Sequence, residues 1–136
     1  MREHLVASAG YLQRRGTPRT LDELPGHDLL AWASPDGDDP TLWPGRRGRR
    51  ARVAPFLVST DIHLLRLCAA EGMGIAFLPD AGFPEPAGIR DSLVPVLPDE
   101  VRRERSIRVV VPAVLSEIPR IRAVLAEIRS VLRPPR

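Results

Sequence analysis

The sequence predicts an α/β domain, and three observations carry that expectation. Gly74 to Leu78 is a short continuous apolar run closed by Pro79, the pattern of a strand buried on both faces. Directly ahead of it, Asp61 to Glu71 sets Ile62, Leu65 and Ala69 on one helical face, with Leu64, Leu67 and Cys68 beside them. Such a wide apolar face suits a helix laid on a sheet. Near the C-terminus Ile118, Ile121, Val124, Leu125, Ile128, Val131 and Leu132 follow helical spacing again. Strands and helices alternate along the rest of the chain.

In chain order, Leu5 to Ser8 is a short apolar strand, and Ala9 to Arg15 a turn of helix stopped by Gly16 and Pro18. Thr20 with Glu23 three residues on marks a capped helix start, which Pro25-Gly26 ends at once. Leu29 to Ala33 is a strand and Ser34 to Pro40 a turn-rich loop. Thr41 to Trp43 begins a hairpin with an arginine-rich tip from Pro44 to Arg50, and Arg52 to Val58 is its return strand. The helix Asp61 to Glu71 is stopped by Gly72. Asp80 to Ile89 is loop with one weak helical turn. Leu93 to Leu97 is a strand that Pro95 confines to an edge or crossover. Arg102 to Arg105 is a charged bend and Ser106 to Val111 a strand ended by Pro112. Ser116 is placed to cap the last helix, whose first turn tolerates Pro119.

Composition narrows the function classes. With 136 residues, 43% hydrophobic and 27% charged, the chain is one globular domain or part of one. All 20 basic residues are Arg, and Lys and Asn are absent, which reads first as the codon bias of a GC-rich, bacterial genome. A net charge of +3 does not by itself imply a nucleic-acid surface. Cys68 is the only cysteine, so an intrachain disulfide is impossible and a reducing cytoplasm is the expected compartment. No apolar run approaches a membrane span. Ala7-Ser8-Ala9 mimics a signal-cleavage site, but the apolar stretch before it is too short for a secretory signal.

Catalytic and metal chemistry find no support. Gly72-Met73-Gly74 follows a helix and precedes a strand, the reverse of a dinucleotide-binding turn. His4, His27 and His63 lack the partners of a metal site. Ser59, Asp61 and His63 are too close in one chain to form a nucleophile–base–orienter relay, and no G-x-S-x-G elbow occurs. Neither a catalytic residue, a metal ligand nor a cofactor is therefore expected. Arg46, Arg47, Arg49, Arg50 and Arg52 read as a solvated hairpin tip, with phosphate contact as the sharper alternative. Their lack of interleaved aromatics removes single-strand stacking.

What remains is recognition. A helix that starts at Ser59-Thr60-Asp61 offers hydroxyls and unpaired N–H groups to a small ligand in front of it. The bland reading of the same three residues is capping alone, and Asp61 suits capping best because a carboxylate stabilises a helix start.

Four segments together resemble the effector-binding domain of the LysR-type transcriptional regulators. LVASAGYLQRRGTPRTLDELPGHDLLAW looks like their passage from one subdomain into the other, with Ser8 at the crossover, Tyr11-Leu12 in the following helix, and Glu23-Leu24 with His27 in the turn. VSTDIHLLRLCAAEGMGIAFLPD is similar to the family's helix-then-strand segment, through Gly72, Gly74, Ile75, Leu78 and Pro79. LVPVLPDEV resembles the returning crossover, and SIRVVVPAVLSEIPRIRAVLAEIRSVL the closing strand and helix.

The resemblance implies a type II periplasmic-binding-protein-like fold of two α/β subdomains that close on a small effector and so alter how a DNA-bound oligomer sits on its operator. On that basis residues of about 9–92 form the second regulatory subdomain, and 1–8 and 93–136 form crossover strands and a remnant of the first. Ser8, Ser59, Thr60 and Asp61 are the expected effector-binding residues. The family's winged helix-turn-helix is not in this chain, so DNA contact is expected only through that absent part. With much of the first subdomain also missing, the C-terminal apolar stripe must fold back on the remaining sheet or pair with another chain, making a homo-oligomer the expected state. The rival reading is an oligomerisation or interaction module that binds no effector.

Overall fold

A computed structural model of the chain describes residues 1–80, 88–106 and 108–131. The chain folds around a mixed sheet whose strands run in the order β5-β2-β6-β1-β7, with β8 also on β1. These are β1 (Arg2–Ser8), β2 (Leu29–Trp32), β5 (Leu57–Ser59), β6 (Ile75–Pro79), β7 (Leu93–Val96) and β8 (Arg102–Glu104). A separate ribbon pairs β3 (Leu42–Pro44) with β4 (Arg50–Arg52). The helices are α1 (Ala9–Arg15), α2 (Ile62–Ala70), α3 (Ile89–Ser92), α4 (Ala113–Ser116) and α5 (Pro119–Val131), with a 3-10 helix at Leu21–Gly26.

The sheet is parallel where a helix connects its strands. Strand β2 lies parallel to both β5 and β6, and α2 makes the crossover from β5 to β6. Strand β6, central and buried at every residue, realises the continuous apolar run of its sequence. Its other neighbour, β1, is antiparallel, pairing Leu5 with Phe77 and Val6 with Ala76.

Each face of the sheet has its own core. On one, Val6, Leu30, Ala76 and Leu78 meet Leu65 and Ala69 of α2. On the other, Leu5, Ala7, Leu29, Ala31, Ile75 and Phe77 are covered by Leu21 and Leu24 of the 3-10 helix and by Trp43 of the ribbon. The period-2 alternation of β1 feeds both cores at once.

Helix α2 ends as its sequence dictates. The Gly72 N–H donates to the Ala69 carbonyl and the Met73 N–H to the Cys68 carbonyl, while Gly72 takes φ 78°. This is a Schellman closure, and the left-handed residue it needs is the glycine.

Several expectations are corrected. The ribbon returns through Arg50–Arg52, and the segment read as one return strand splits so that Leu57–Ser59 joins the main sheet. The capped start at Thr20 opens a 3-10 helix: Glu23 accepts from the Arg19 N–H at 3.0 Å and the Thr20 hydroxyl at 3.1 Å, and Pro25 sits inside the element. Arg102 to Arg105 is largely strand, because residues 97–101 loop out between the pairs Leu5–Val96 and His4–Arg102 and let the chain rejoin β1. That loop is not idle, since Leu97 and Val101 are buried in the second core.

The β1 side of the sheet is taken by β7 and β8, and the segment read as a strand from Ser106 to Val111 adds no strand among its described residues. Its described residues, 106 and 108–111, lie outside the sheet. Ser116 does not cap α5; its hydroxyl donates to the Ala113 carbonyl, and the Ile118 carbonyl accepts the first bonds of α5. The apolar face of α2 is narrower than its sequence suggests, with Leu64 and Leu67 exposed. No residue of α5 is buried, so its stripe has not folded back into either core. Most of the loop expected between Asp80 and Ile89, and Leu132 at the end of the stripe, lie outside the described residues.

Candidate functional site

Strand direction decides which residues meet. Parallel strands β2, β5 and β6 all finish at one end of the sheet, at Trp32, Ser59 and Pro79. Antiparallel β1 begins there, and β8 ends there beside it, because Glu3 pairs with Pro79 and Arg2 with Glu104. One end therefore gathers Arg2, Glu3, Trp32, Ser59, Thr60, Asp61, Asp80 and Arg105. The carboxyl ends of the parallel strands are where open α/β sheets bind ligands.

Ser59, Thr60 and Asp61 come together at this end as expected, with divided roles. The Ser59 hydroxyl accepts from the Asp61 N–H at 3.0 Å. The Asp61 carboxylate caps α2, accepting from His63 N–H at 2.9 Å and Leu64 N–H at 3.1 Å. Both are committed to forming the turn. Asp61 also places its own negative charge on the helix start, so an external anion is disfavoured at that spot. Thr60 is the outward-facing member: it is exposed, and its hydroxyl forms no hydrogen bond among the described residues. Its carbonyl accepts from the Trp32 indole N–H at 3.2 Å, which fixes the ring against the turn.

Ser8 does not join them. It ends β1 at the opposite end of the sheet, buried, where its hydroxyl caps α1 by accepting from the Tyr11 N–H at 3.2 Å. The reason is the direction of β1: the chain enters at Arg2, beside Pro79, and Ser8 lies a full strand away. That far end is tied by Tyr11, whose hydroxyl accepts from the Asp28 N–H at 2.9 Å and lies 3.2 Å from His27 Nδ1. Burial, then the Arg15 charge, lowers the His27 pKa, which suits a neutral partner in a structural knot.

Residues that sequence reasoning missed complete the near end. Glu3 is buried, yet its two carboxylate oxygens face Arg103 and Arg105 separately. Arg105 Nη1 meets Asp36 at 2.6 Å and its Nη2 meets Asp38; Arg103 also reaches Asp38 at 3.0 Å. The Arg105 guanidinium stands 5.7 Å over the Trp32 ring. Burial works to lower the Arg105 pKa, but Asp38 and Glu3 outweigh it and raise it. The signal in the sequence was the Arg103–Arg105 spacing of two, which puts both side chains on one face of a strand. It was hidden because that segment read as a bend.

Beside this cluster, Asp80 accepts from the Arg2 N–H at 2.6 Å, and the buried Arg66 donates to the Pro79 carbonyl. His4 is half-buried nearby; burial lowers its pKa, Asp80 opposes that and Arg66 reinforces it. Among the described residues no group of three or more His, Cys, Asp or Glu side chains is placed to hold a metal ion. Nor is any helix among them long and apolar enough to cross a membrane.

Among the described residues the site offers a hydroxyl, an indole and a held guanidinium. Residues 2–133 match the family described as the LysR substrate binding domain. The chain is 30% identical over 79 residues to the transcriptional regulator CrgA of Neisseria meningitidis, covering 58% of this chain and 26% of that protein. It is 30% identical over 112 residues to an uncharacterized HTH-type regulator of Haemophilus influenzae, covering 80% of this chain and 38% of that one. Among solved structures, CrgA superposes with a TM-score of 0.73 at 23% identity over 98% of this chain and 45% of that one, a likeness of fold. AphB of Vibrio cholerae, described as a virulence activator, gives 0.57 at 26% identity over 75% and 35%. The chain spans a quarter to two fifths of the length of these curated relatives, which are transcriptional regulators rather than enzymes.

Proposed function

The chain belongs to the LysR substrate-binding-domain family, with its periplasmic-binding-protein-like α/β fold, and from that premise we propose that it is a ligand-sensing regulatory domain of a bacterial LysR-type transcriptional regulator. A small effector binds at the strand ends where the Ser59–Asp61 turn meets Trp32. Thr60 donates or accepts through its hydroxyl, while Ser59 and Asp61 hold the turn in shape. The crossover strands are β1, β7 and β8, and β1 begins where β8 ends, so closure of a second lobe would bear on this edge. In the intact regulator DNA is bound by a winged helix-turn-helix outside this chain, in the cytoplasm.

The observation that carries this reading is the convergence of three parallel strand ends on a turn whose Thr60 hydroxyl is open to solvent. A melting-temperature screen of small polar metabolites against this chain, repeated on Thr60→Val, tests it. Hits for the wild type should bind Thr60→Val about tenfold more weakly, the worth of one hydrogen bond to a ligand. Equal binding to both removes Thr60 from the site.

The second reading, an oligomerising module without an effector, is favoured by one observation: α5 leaves Val124 and Val131 more than half exposed and buries nothing. It predicts a concentration-dependent mass in sedimentation together with no hit in the screen. Self-association alone is compatible with both readings, since regulators of this family act as oligomers.

A further inference from the structure

Resting on the effector-site reading above, we propose that Arg105 is the anion-recognition residue of this edge, and that Asp36 and Asp38 occupy it as tethered stand-ins for a ligand carboxylate. The two sides of its guanidinium are treated differently. Its Nε is turned inward onto Glu3, which is 1% exposed, and the Arg105 side chain itself is only 11% exposed. Its Nη1 and Nη2 are turned outward, one to Asp36 and the other to Asp38, whose side chains are 72% and 43% exposed. The inner contact fixes the group; the outer pair of N–H donors has the fork geometry that binds a carboxylate bidentately.

Charge supports the same division. The built part, Arg103 and Arg105 with Glu3, carries one net positive charge. The two exposed carboxylates that cover it come from a turn at Pro35–Asp38, where Gly37 takes φ 78°, and not from a packed element. With the two aspartates the cluster carries one net negative charge, and a single bidentate carboxylate in their place leaves it neutral, each charge-assisted bond on Arg105 being replaced by another. The Arg105 guanidinium stands over the Trp32 ring, whose indole N–H is bonded to the Thr60 carbonyl, so that ring links the anion-binding group to the Thr60 turn. The ligand class is a small polar carboxylate with its anionic end at Arg105 and a hydroxyl-bonding group toward Thr60. Displacing Asp36 and Asp38 frees the loop 33–40, which gives the site a route from binding to movement.

Acetate is the probe, with neutral acetamide and equal ionic strength of chloride as controls. The readout is the indole N–H resonance of Trp32 in a nitrogen-15 correlation spectrum, assigned by its loss in Trp32→Phe. Asp36→Asn/Asp38→Asn removes the tethered competitor without touching the buried ion pair. It should bind acetate more tightly than the wild type, by about tenfold when the effective concentration of the tethered carboxylates is about ten times their own dissociation constant. Arg105→Lys should lose the acetate response while keeping the dispersed spectrum of the fold. Identical acetate curves for wild type and the double Asn variant, or an equal response to chloride, overturn the proposal. If acetate fails while Thr60-dependent hits persist, the effector reading stands with a neutral ligand; if acetate succeeds and Thr60→Val changes nothing, the anion site stands alone.

Discussion

Helix α2 buries three of its nine residues, and α5 none of its thirteen. Leu65 and Ala69 of α2 are fully buried among Val6, Leu30, Ala76 and Leu78. The stripe of α5 is more regular than the face of α2, yet Ile121, Leu125 and Ile128 reach only partial burial and Val124 and Val131 face solvent. Termini differ in the same sense. Helix α2 has an Asp61 side-chain cap and a glycine closure, whereas α5 starts from Ile118, which has no side-chain acceptor. An apolar stripe records that a helix was selected to pack, and the capping residues record how much of its stability is local.

The comparison can be broken most severely in the core of α2. Leu65→Ala should cost about 2–5 kcal/mol in urea unfolding, from lost burial and the cavity left behind. Leu125→Ala in α5 should stay within about 0.5 kcal/mol. A large loss at Leu125 would mean that α5 is covered in solution, by a second copy or by the sheet. Next comes the glycine that leads from α2 into β6. A Cβ at Gly74 would press on the Asp28 backbone carbonyl, lying 2.9 Å from its carbon, so Gly74→Ala should cost about 1–3 kcal/mol. Asp61→Ala follows, at about 1 kcal/mol for a lost cap. Ile118→Ser, which supplies α5 with the cap it lacks, should raise helical ellipticity with little effect on the unfolding midpoint.

The smallest effect is titration beneath α2. The folded-state pKa of His4 lies below its ordinary 6.5, so the unfolded chain binds the proton first. Stability should be full above pH 6.5, fall as pH drops through it, and level off below the depressed folded value. His4→Gln should flatten part of that slope, and the remainder belongs to His27, lowered in the same direction.

Local signals were legible where one segment answers to itself. The buried run of β6, the stop at Gly72, the edge placement of Pro95 in β7 and the cap at Asp61 all follow from residues within a few positions of one another. What the sequence hid was pairing. Ser106 to Val111 has a strand's composition, yet its described residues pair with nothing in the sheet, while Arg102 to Glu104 has a bend's composition and a vacant stretch of β1. The site divides likewise. Ser59, Thr60 and Asp61 are neighbours in the chain and were found together; Arg105, Asp36 and Glu3 meet only through the sheet. Ser8 was assigned to the same site by its place in a motif, and strand direction puts it at the other end.

Strand β1 opens the chain and pairs with β6, β7 and β8, and the N–H of Arg105 closes on the carbonyl of Met1 at 2.9 Å. Every pairing of β1 is therefore non-local: β6 is its first partner along the chain, and the set closes only when β8 has joined. Folding speed is accordingly tied to long-range closure, and a substitution that loosens β8 should slow refolding more than one in the locally built helix α2.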